Sequence, residues 1–214
     1  MSYPSFLLIL AGVPITVALT VLTLLVGAIL GFPLMLARQS PILAVNALAG
    51  ALISVIRAIP PIVWLFIVFF GIGASLPAIS PFQATLAVLG AIATVNMAEI
   101  YRGAMRSIHH GQWEAAAALN FSRFRTFTDI IIPQMFRVSL PSAGTFAIGM
   151  LKDTSIASTI GVVELTYRGS LVTQTTFRGL EVFAVVGILY IVMSLPVAWM
   201  ARVADARLQS KVSR

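Results

Sequence analysis

Along most of this chain apolar positions follow one another without the regular polar interruptions that mark the wet face of a soluble helix. A helix crosses the hydrocarbon core of a bilayer with about 20 apolar residues. Five stretches meet or approach that length: 12–37, 42–70, 83–100, a run beginning near Val138 and entering Lys152-Asp153-Thr154-Ser155, and 182–203. The second is too long for one straight span. It is interrupted by Arg57-Ala58-Ile59-Pro60-Pro61, where proline removes a backbone donor and the helical ladder must break.

Between the third and fourth stretches lies a polar island, Gly111-Gln112-Trp113-Glu114-Ala115-Ala116-Ala117-Ala118-Leu119-Asn120, closed by Ile130-Ile131-Ile132-Pro133. Residues 114–118 predict a helix with little side-chain bulk, whose backbone can lie close against a partner. Asn120 tolerates the positive-φ conformation that ends such a helix. Ser122 is a suitable N-cap for a second short helix, which Pro133 is expected to terminate.

Composition narrows the class. Of the 214 residues 59% are hydrophobic and 10% charged, and the mean hydropathy is +0.99. Soluble domains carry about a quarter charged residues. The chain therefore reads as an all-α integral membrane protein, a single domain over 1–214. No cysteine is present, which removes disulfides and thiolate metal sites. His109 and His110 are adjacent and cannot both face one site on a helix, so they suit a solvated interface loop better than a metal. No Lys or Arg precedes Arg38, so the first apolar run lacks the basic region of a secretory signal and is expected to stay as a span.

The net charge of +7 is mostly a topology signal. Basic residues favour the cytoplasmic side. With five spans and the N-terminus outside, Arg38, Arg102, Arg106, Arg123, Arg125, Arg137, Arg202, Arg207, Lys211 and Arg214 fall inside, ten of the 14 basic residues. Arg168 and Arg178 fall outside, and Arg57 and Lys152 are left at membrane depth. The expected orientation is N-terminus outside, C-terminus cytoplasmic, with the 103–133 loop in the cytoplasm. Nucleic acid is not an expected partner. The 161–179 segment is the one sizeable external connection, suited to meet a soluble partner.

The island resembles the "EAA" loop of importer-type ATP-binding cassette permeases: Glu-Ala-Ala, three residues, Gly, nine residues, Ile-x-Leu-Pro. Here Glu114-Ala115-Ala116, Asn120, Ile130 and Ile132-Pro133 keep the spacing, with Asn in place of Gly and Ile in place of Leu. Gly12-Val13-Pro14-Ile15-Thr16-Val17, Arg57-Ala58-Ile59-Pro60-Pro61, Ala98-Glu99-Ile100-Tyr101-Arg102-Gly103 and Leu151-Lys152-Asp153-Thr154-Ser155 are similar to the polar amino-acid branch of those permeases, the histidine, glutamine, arginine and opine type. The resemblance implies a bacterial inner-membrane subunit with no cofactor of its own. It also implies a cytoplasmic ATPase dimer, an external solute-binding protein and an identical or related second permease. Gly111, Gln112, Glu114, Ala115, Ala116 and Asn120 would form the coupling segment docked on the ATPase. In that branch the second motif usually reads Arg-Gly-Thr-Pro, so Arg57-Ala58-Ile59-Pro60 leaves the solute open.

The residues themselves point to a solute path. About 14 apolar residues precede Lys152, roughly 21 Å of helix, which leaves Lys152 and Asp153 inside the bilayer. Ionisable groups there are costly and face a cavity or one another. Asp153, Thr154 and Ser155 also suit a helix N-terminus, so the expected arrangement is a new half-helix whose amides attract a carboxylate. Lys152 would add charge to the same anion and Asp153 would meet an ammonium. The alternative is a Lys152–Asp153 pair that locks the fold. Arg57 either satisfies carbonyls freed by Pro60, borders the path or pairs with an acid. Glu99 and Arg102 suit a local ion pair or a gate. Gly12, Gly27 and Gly31 suit close helix packing. Trp64, Phe66, Phe69 and Phe70 suit lipid-facing or interfacial positions, and Trp199 an interface belt.

No Gly-x-x-x-x-Gly-Lys-Ser/Thr loop and no nucleophile triad is present, so energy for transport is expected from a partner. An ion-coupled transporter would need more intramembrane acids than Asp153. A non-catalytic scaffold would have no use for charge at membrane depth.

Overall fold

The order of the bundle follows from where the small residues fall. The computed structural model describes residues 2–72 and 79–212, with side chains to 203 apart from Ile72. Arg207, Lys211 and Arg214, counted in the charge argument, lie outside the described side chains. Every regular element among the described residues is helical. They are α1 (Tyr3–Leu10), α2 (Val13–Arg38), α3 (Leu43–Ala58), α4 (Pro61–Phe66), α5 (Pro81–Arg106), α6 (Gly111–Ala118), α7 (Arg123–Arg125), α8 (Ile132–Asp153), α9 (Leu165–Thr176) and α10 (Gly179–Val212). A π-helical turn, Ile67–Ile72, extends α4, a second, Thr126–Ile131, joins α7 to α8, and a 3₁₀ stretch, Thr154–Ile160, continues α8.

Along α2 the buried positions are Thr16, Leu19, Thr20, Thr23, Gly27, Gly31 and Met35, one helical face of mostly small residues. The opposite face exposes Val21, Leu25 and Ile29. Large apolar groups outside and small ones inside is the pattern of a helix in lipid, where close backbone approach replaces water exclusion as the attraction. Ideal Cβ atoms on Gly27 and Gly31 would fall 2.6 Å from Ala93 Cβ and 2.8 Å from Met97 Cβ of α5. One on Gly12 would fall 2.7 Å from the Leu165 backbone, so all three glycines are packing sites.

α5 is the centre. Of its most apolar window 61% is buried, against 11% for α10, which leaves α10 at the rim. Ser80 and Gln83 form a capping box that starts α5. Leu19, Leu65, Val88 and Ala157 make one core between α2, α4, α5 and the 3₁₀ stretch. Met35, Met97, Tyr101 and Met135 make another towards the Arg106 end, where the Tyr101 hydroxyl donates to the Ala28 carbonyl at 3.3 Å.

Three helical units are long and apolar enough to cross a membrane, or five if each bent pair counts as one. The second apolar stretch is such a pair, α3 and α4 meeting at 98°. Pro60 cannot donate to the Ile56 carbonyl four residues back. The Trp64 indole does so instead, at 3.2 Å. This corrects two expectations. Arg57 does not satisfy the freed carbonyl, and Trp64 is half-buried against the core rather than facing lipid. Phe69 also packs there, whereas Phe66 and Phe70 are exposed.

A third correction concerns Pro133. The helix does not stop there, since α8 begins at Ile132 and runs to Asp153. The π turn absorbs the ring, with the Ile132 amide bonding to the Phe127 carbonyl five residues back.

Gly27→Val forces two methyl groups into the Ala93 backbone and should destabilise the fold by about 1–3 kcal/mol. A Cβ on Gly149 meets no atom within 4 Å, so Gly149→Ala should be neutral or stabilising. Thermal unfolding of the purified protein in detergent separates the two, and a Gly27→Val midpoint no lower than that of Gly149→Ala would contradict the close α2–α5 packing.

Candidate functional site

The 111–120 island folds as a short helix with a closed C-terminus. Asn120 has φ of 57°. The Asn120 amide bonds to the Ala117 carbonyl and the Phe121 amide to that of Ala116, both at 3.0 Å, which is the Schellman arrangement. Ser122 Oγ then accepts from the Arg125 amide at 3.3 Å and caps the next helical segment. Ala116 is buried, while Glu114, Ala115 and Ala117 are exposed. Glu114 Oε1 lies 3.0 Å from His110 Nδ1 in a fully solvated pair. Leu119 and Phe124, 71% and 75% exposed, flank the helix with uncovered apolar surface.

A link that the sequence did not reveal ties this helix to the bundle. The Gln134 side-chain amide donates to Gln112 Oε1 at 3.2 Å and to the Ile130 carbonyl at 2.9 Å. Gln112 is thus joined to the first turn of α8. From Arg123 to Ile160 the chain is one helical unit. α6 is separated from that unit by the turn at 119–122 and meets it through the Gln112–Gln134 bond.

At the far end the expected half-helix does not start at Asp153. The chain stays helical and tightens into the 3₁₀ stretch. Thr154 Oγ1 donates back to the Leu151 carbonyl at 2.7 Å, so it closes α8 instead of capping a new helix. Lys152 and Asp153 are exposed on the chain surface, Thr154 is buried, and Ser155 is half-buried. Among the described residues no ion pair joins Lys152 and Asp153. Met150, one turn back, packs on Leu89 and Ala93 and fixes the depth of the group near the middle of α5.

The break falls later, in the 161–179 segment expected as an external connection. Gly161 takes φ of 89°, and α9 leaves at 51° to the preceding helix. Its N-cap is Glu164, which is fully buried. Glu164 Oε1 accepts from the Tyr167 amide at 2.7 Å, and Oε2 accepts from the Tyr190 hydroxyl of α10 at 2.9 Å. The Leu165 amide donates to Thr16 Oγ1 of α2 at 3.1 Å. A glutamate between apolar residues gave no sequence signal for this role, because the partners lie far away in the chain.

Arg57 lies apart from the Lys152 group. It borders an open cavity of about 450 Å³ with Arg38, Ser54, Glu99 and Arg102, and an adjoining one of about 520 Å³ with Glu99, Ser107, Ser139 and Ser142. Glu99 and Arg102 form the expected local pair, with Arg102 Nε donating to Glu99 Oε1 at 2.9 Å and its terminal nitrogen to Oε2. Among the described residues no group of three or more His, Cys, Asp or Glu could hold a metal.

The family model for the binding-protein-dependent transport system inner membrane component matches residues 30–210. The L-cystine transport system permease protein TcyL of Bacillus subtilis is 35% identical over 211 residues, covering 95% of this chain and 88% of that one. The glutamine transport system permease protein GlnP of Escherichia coli is 32% identical, covering 97% and 95%. The octopine transport system permease protein OccM of Rhizobium meliloti is 35% identical, covering 90% and 82%. Among solved structures, an amino acid ABC transporter crystallised with histidines superposes with a TM-score of 0.88 at 30% identity over 94% of each chain. An inward-facing MetNI methionine ABC transporter shares the fold, with a TM-score of 0.77 at 22% identity, covering 96% and 99%. The Glu114 helix, its closed Asn120 turn and the helix that continues from it are therefore not an isolated motif, and the chain belongs to the binding-protein-dependent inner-membrane permeases, the membrane-spanning subunits of ATP-driven importers, a transport component and not a catalytic one.

Proposed function

We propose that this chain lines the path of a polar amino acid or an opine across the bacterial cytoplasmic membrane, with its N-terminus outside and α6 in the cytoplasm. The observation that carries this reading is the contact of the Glu114 helix with α8 through Gln112–Gln134, from which continuous helix runs to Lys152 and Asp153. It gives an energy-receiving surface a rigid route to a pair of charges at membrane depth. The solute class is supported by relatives named for cystine, glutamine and octopine, each of which carries both a carboxylate and an amine. Lys152 suits the first and Asp153 the second, with Thr154 and Ser155 shaping the turn that presents them.

Coupling runs through Gly111, Gln112, Glu114, Ala115, Ala116 and Asn120. One subunit of the ATPase dimer docks there and the other on the second permease, the exposed Leu119 and Phe124 adding apolar contact. An external solute-binding protein delivers the solute, and an identical or related second permease completes the path. Closure of the ATPases on ATP moves α6 and, with it, α8. The rival reading, an ion-coupled transporter, predicts uptake into liposomes by this chain under an ion gradient without any ATPase. Uptake of L-glutamine, L-cystine or octopine only when ATPase, binding protein and ATP are all supplied supports the importer.

Glu114→Lys should abolish solute-stimulated ATP hydrolysis by the assembled complex and leave membrane insertion intact. Gln134→Ala removes the neutral hydrogen bonds to Gln112 and to the Ile130 carbonyl and should lower coupled transport by roughly two- to tenfold. Stimulated turnover at the parental rate in Glu114→Lys would remove this segment from the transmission route.

For orientation, cysteines replacing Ser2 and the exposed Gln174 should react in intact cells with a membrane-impermeant thiol reagent, whereas one replacing the exposed Arg106 should not. The chain has no native cysteine to obscure the result. Outside labelling at position 106 would invert the orientation.

Asp153→Asn keeps the volume and deletes the charge. Loss of one charge-assisted hydrogen bond costs about 1.5–3 kcal/mol, roughly ten- to a hundredfold in apparent affinity for the solute. Transport by Asp153→Asn at parental affinity, with assembly intact, would make the Lys152–Asp153 group structural.

A further inference from the structure

The cavities beside Arg57 carry a charge imbalance that the fold does not use. Three guanidinium groups, from Arg38, Arg57 and Arg102, face one carboxylate, Glu99. Glu99 is already engaged on both oxygens by Arg102. Arg38 donates to the Asn46 side chain and lies flat over Gly50, where a Cβ would approach its Nε to 3.1 Å. Arg57 makes no hydrogen bond or ion pair among the described residues, acts on Glu99 only through longer-range attraction, and exposes its side chain to the cavity.

Depth makes this expensive to maintain. Glu99 stands seven residues before Arg106 at the end of α5, about 10 Å along the axis. A cation at that depth with no hydrogen-bonded partner faces either water or an anion in a cavity. Both cavities are of ligand size, since solute sites run from about 300 to 1,000 Å³. Serines 54, 107, 139 and 142 line their walls. The Lys152–Asp153 group is placed by Met150 near Leu89 and Ala93. The Glu99 cavity is therefore roughly 9–15 Å nearer the α6 end, a separate position and not part of the same site.

We propose that Arg57 is a second station for the solute, binding its carboxylate on the inner part of the path. The geometry suits this ligand. A planar guanidinium takes a carboxylate with two parallel hydrogen bonds, and the Glu99–Arg102 pair blocks Glu99 from occupying that fork. Arg38, held aside by Asn46, adds attraction without competing for contact. The solute thus exchanges one cationic partner, Lys152, for another on its way inward. This inference rests on the proposed amino-acid or opine pathway and identifies the solute group that the inner site reads.

The test uses the permease–ATPase complex in detergent, without nucleotide or binding protein. L-glutamine, L-cystine and octopine are titrated calorimetrically, each beside its carboxyl-amidated analogue. Arg57→Gln should weaken binding of the carboxylates by roughly ten- to a hundredfold while changing the amidated analogues less than threefold. Arg57→Lys, which keeps the charge and loses the fork, should recover part of the loss. Three results would overturn the station: parental affinity in Arg57→Gln, equal weakening of free and amidated solutes, or separation of the permease subunits by Arg57→Gln on size-exclusion chromatography. The last would make Arg57 an anchor between subunits. Absence of any import by the parental complex would instead defeat the pathway reading itself, so the two failures are distinguishable.

Discussion

Hydrocarbon does not push apolar helices together, because a leucine is as well solvated by lipid tails as by another leucine. What holds this bundle is the closeness with which α2 and α5 can lie, and that depends on the absence of side chains at Gly27 and Gly31. At that separation backbone meets backbone, and dispersion and hydrogen bonding act at short range. The remaining packing is arranged around this seam. α8 closes over it at the Tyr101 end, α4 and the 3₁₀ stretch at the other, and α10 touches the outside.

Most polar groups inside the bundle find a partner, the exceptions among the described residues being Thr23 Oγ1, Arg168 Nε and Thr173 Oγ1. Thr16, Thr20 and Thr85 donate to carbonyls four residues back in their own helices. Thr16 Oγ1 also accepts the Leu165 amide, and Glu164 takes donors from α9 and α10. In this way the amides at the start of α9 are satisfied in a place that water reaches poorly. The Trp64 indole performs the same service for the carbonyl stranded by Pro60.

Sequence reading recovered what local rules determine. Span positions follow from apolar run length, the bend after Arg57 from proline chemistry, and the left-handed Asn120 and the Ser122 cap from side-chain size and hydrogen-bonding capacity. It failed where a choice between local outcomes was made by distant atoms. Pro133 ordinarily ends a helix, but a π turn supplied a geometry that keeps it. Thr154 can cap forwards or bond backwards, and the continuing 3₁₀ stretch selected the second. Trp64 looked like an interfacial aromatic, since nothing local says that its indole faces a freed carbonyl eight residues earlier. Glu164, Gln112–Gln134 and the Arg57 cavity are products of tertiary assembly, with partners up to 149 residues apart in the chain for the Leu165–Thr16 bond.

The π turn at Thr126–Ile131 also has an angular meaning. In an α-helix each residue advances the azimuth by about 100°, so a turn that accommodates one additional residue rotates everything downstream by that amount relative to a regular helix. α8 contains Pro141 but no further π turn before Lys152. The compass bearing of Lys152 and Asp153, measured against the face of α6, is therefore set more than 20 residues away, in the turn beside Pro133. Lengthening or shortening that turn by one residue would leave the depth of the charges almost unchanged and point them towards a different neighbour.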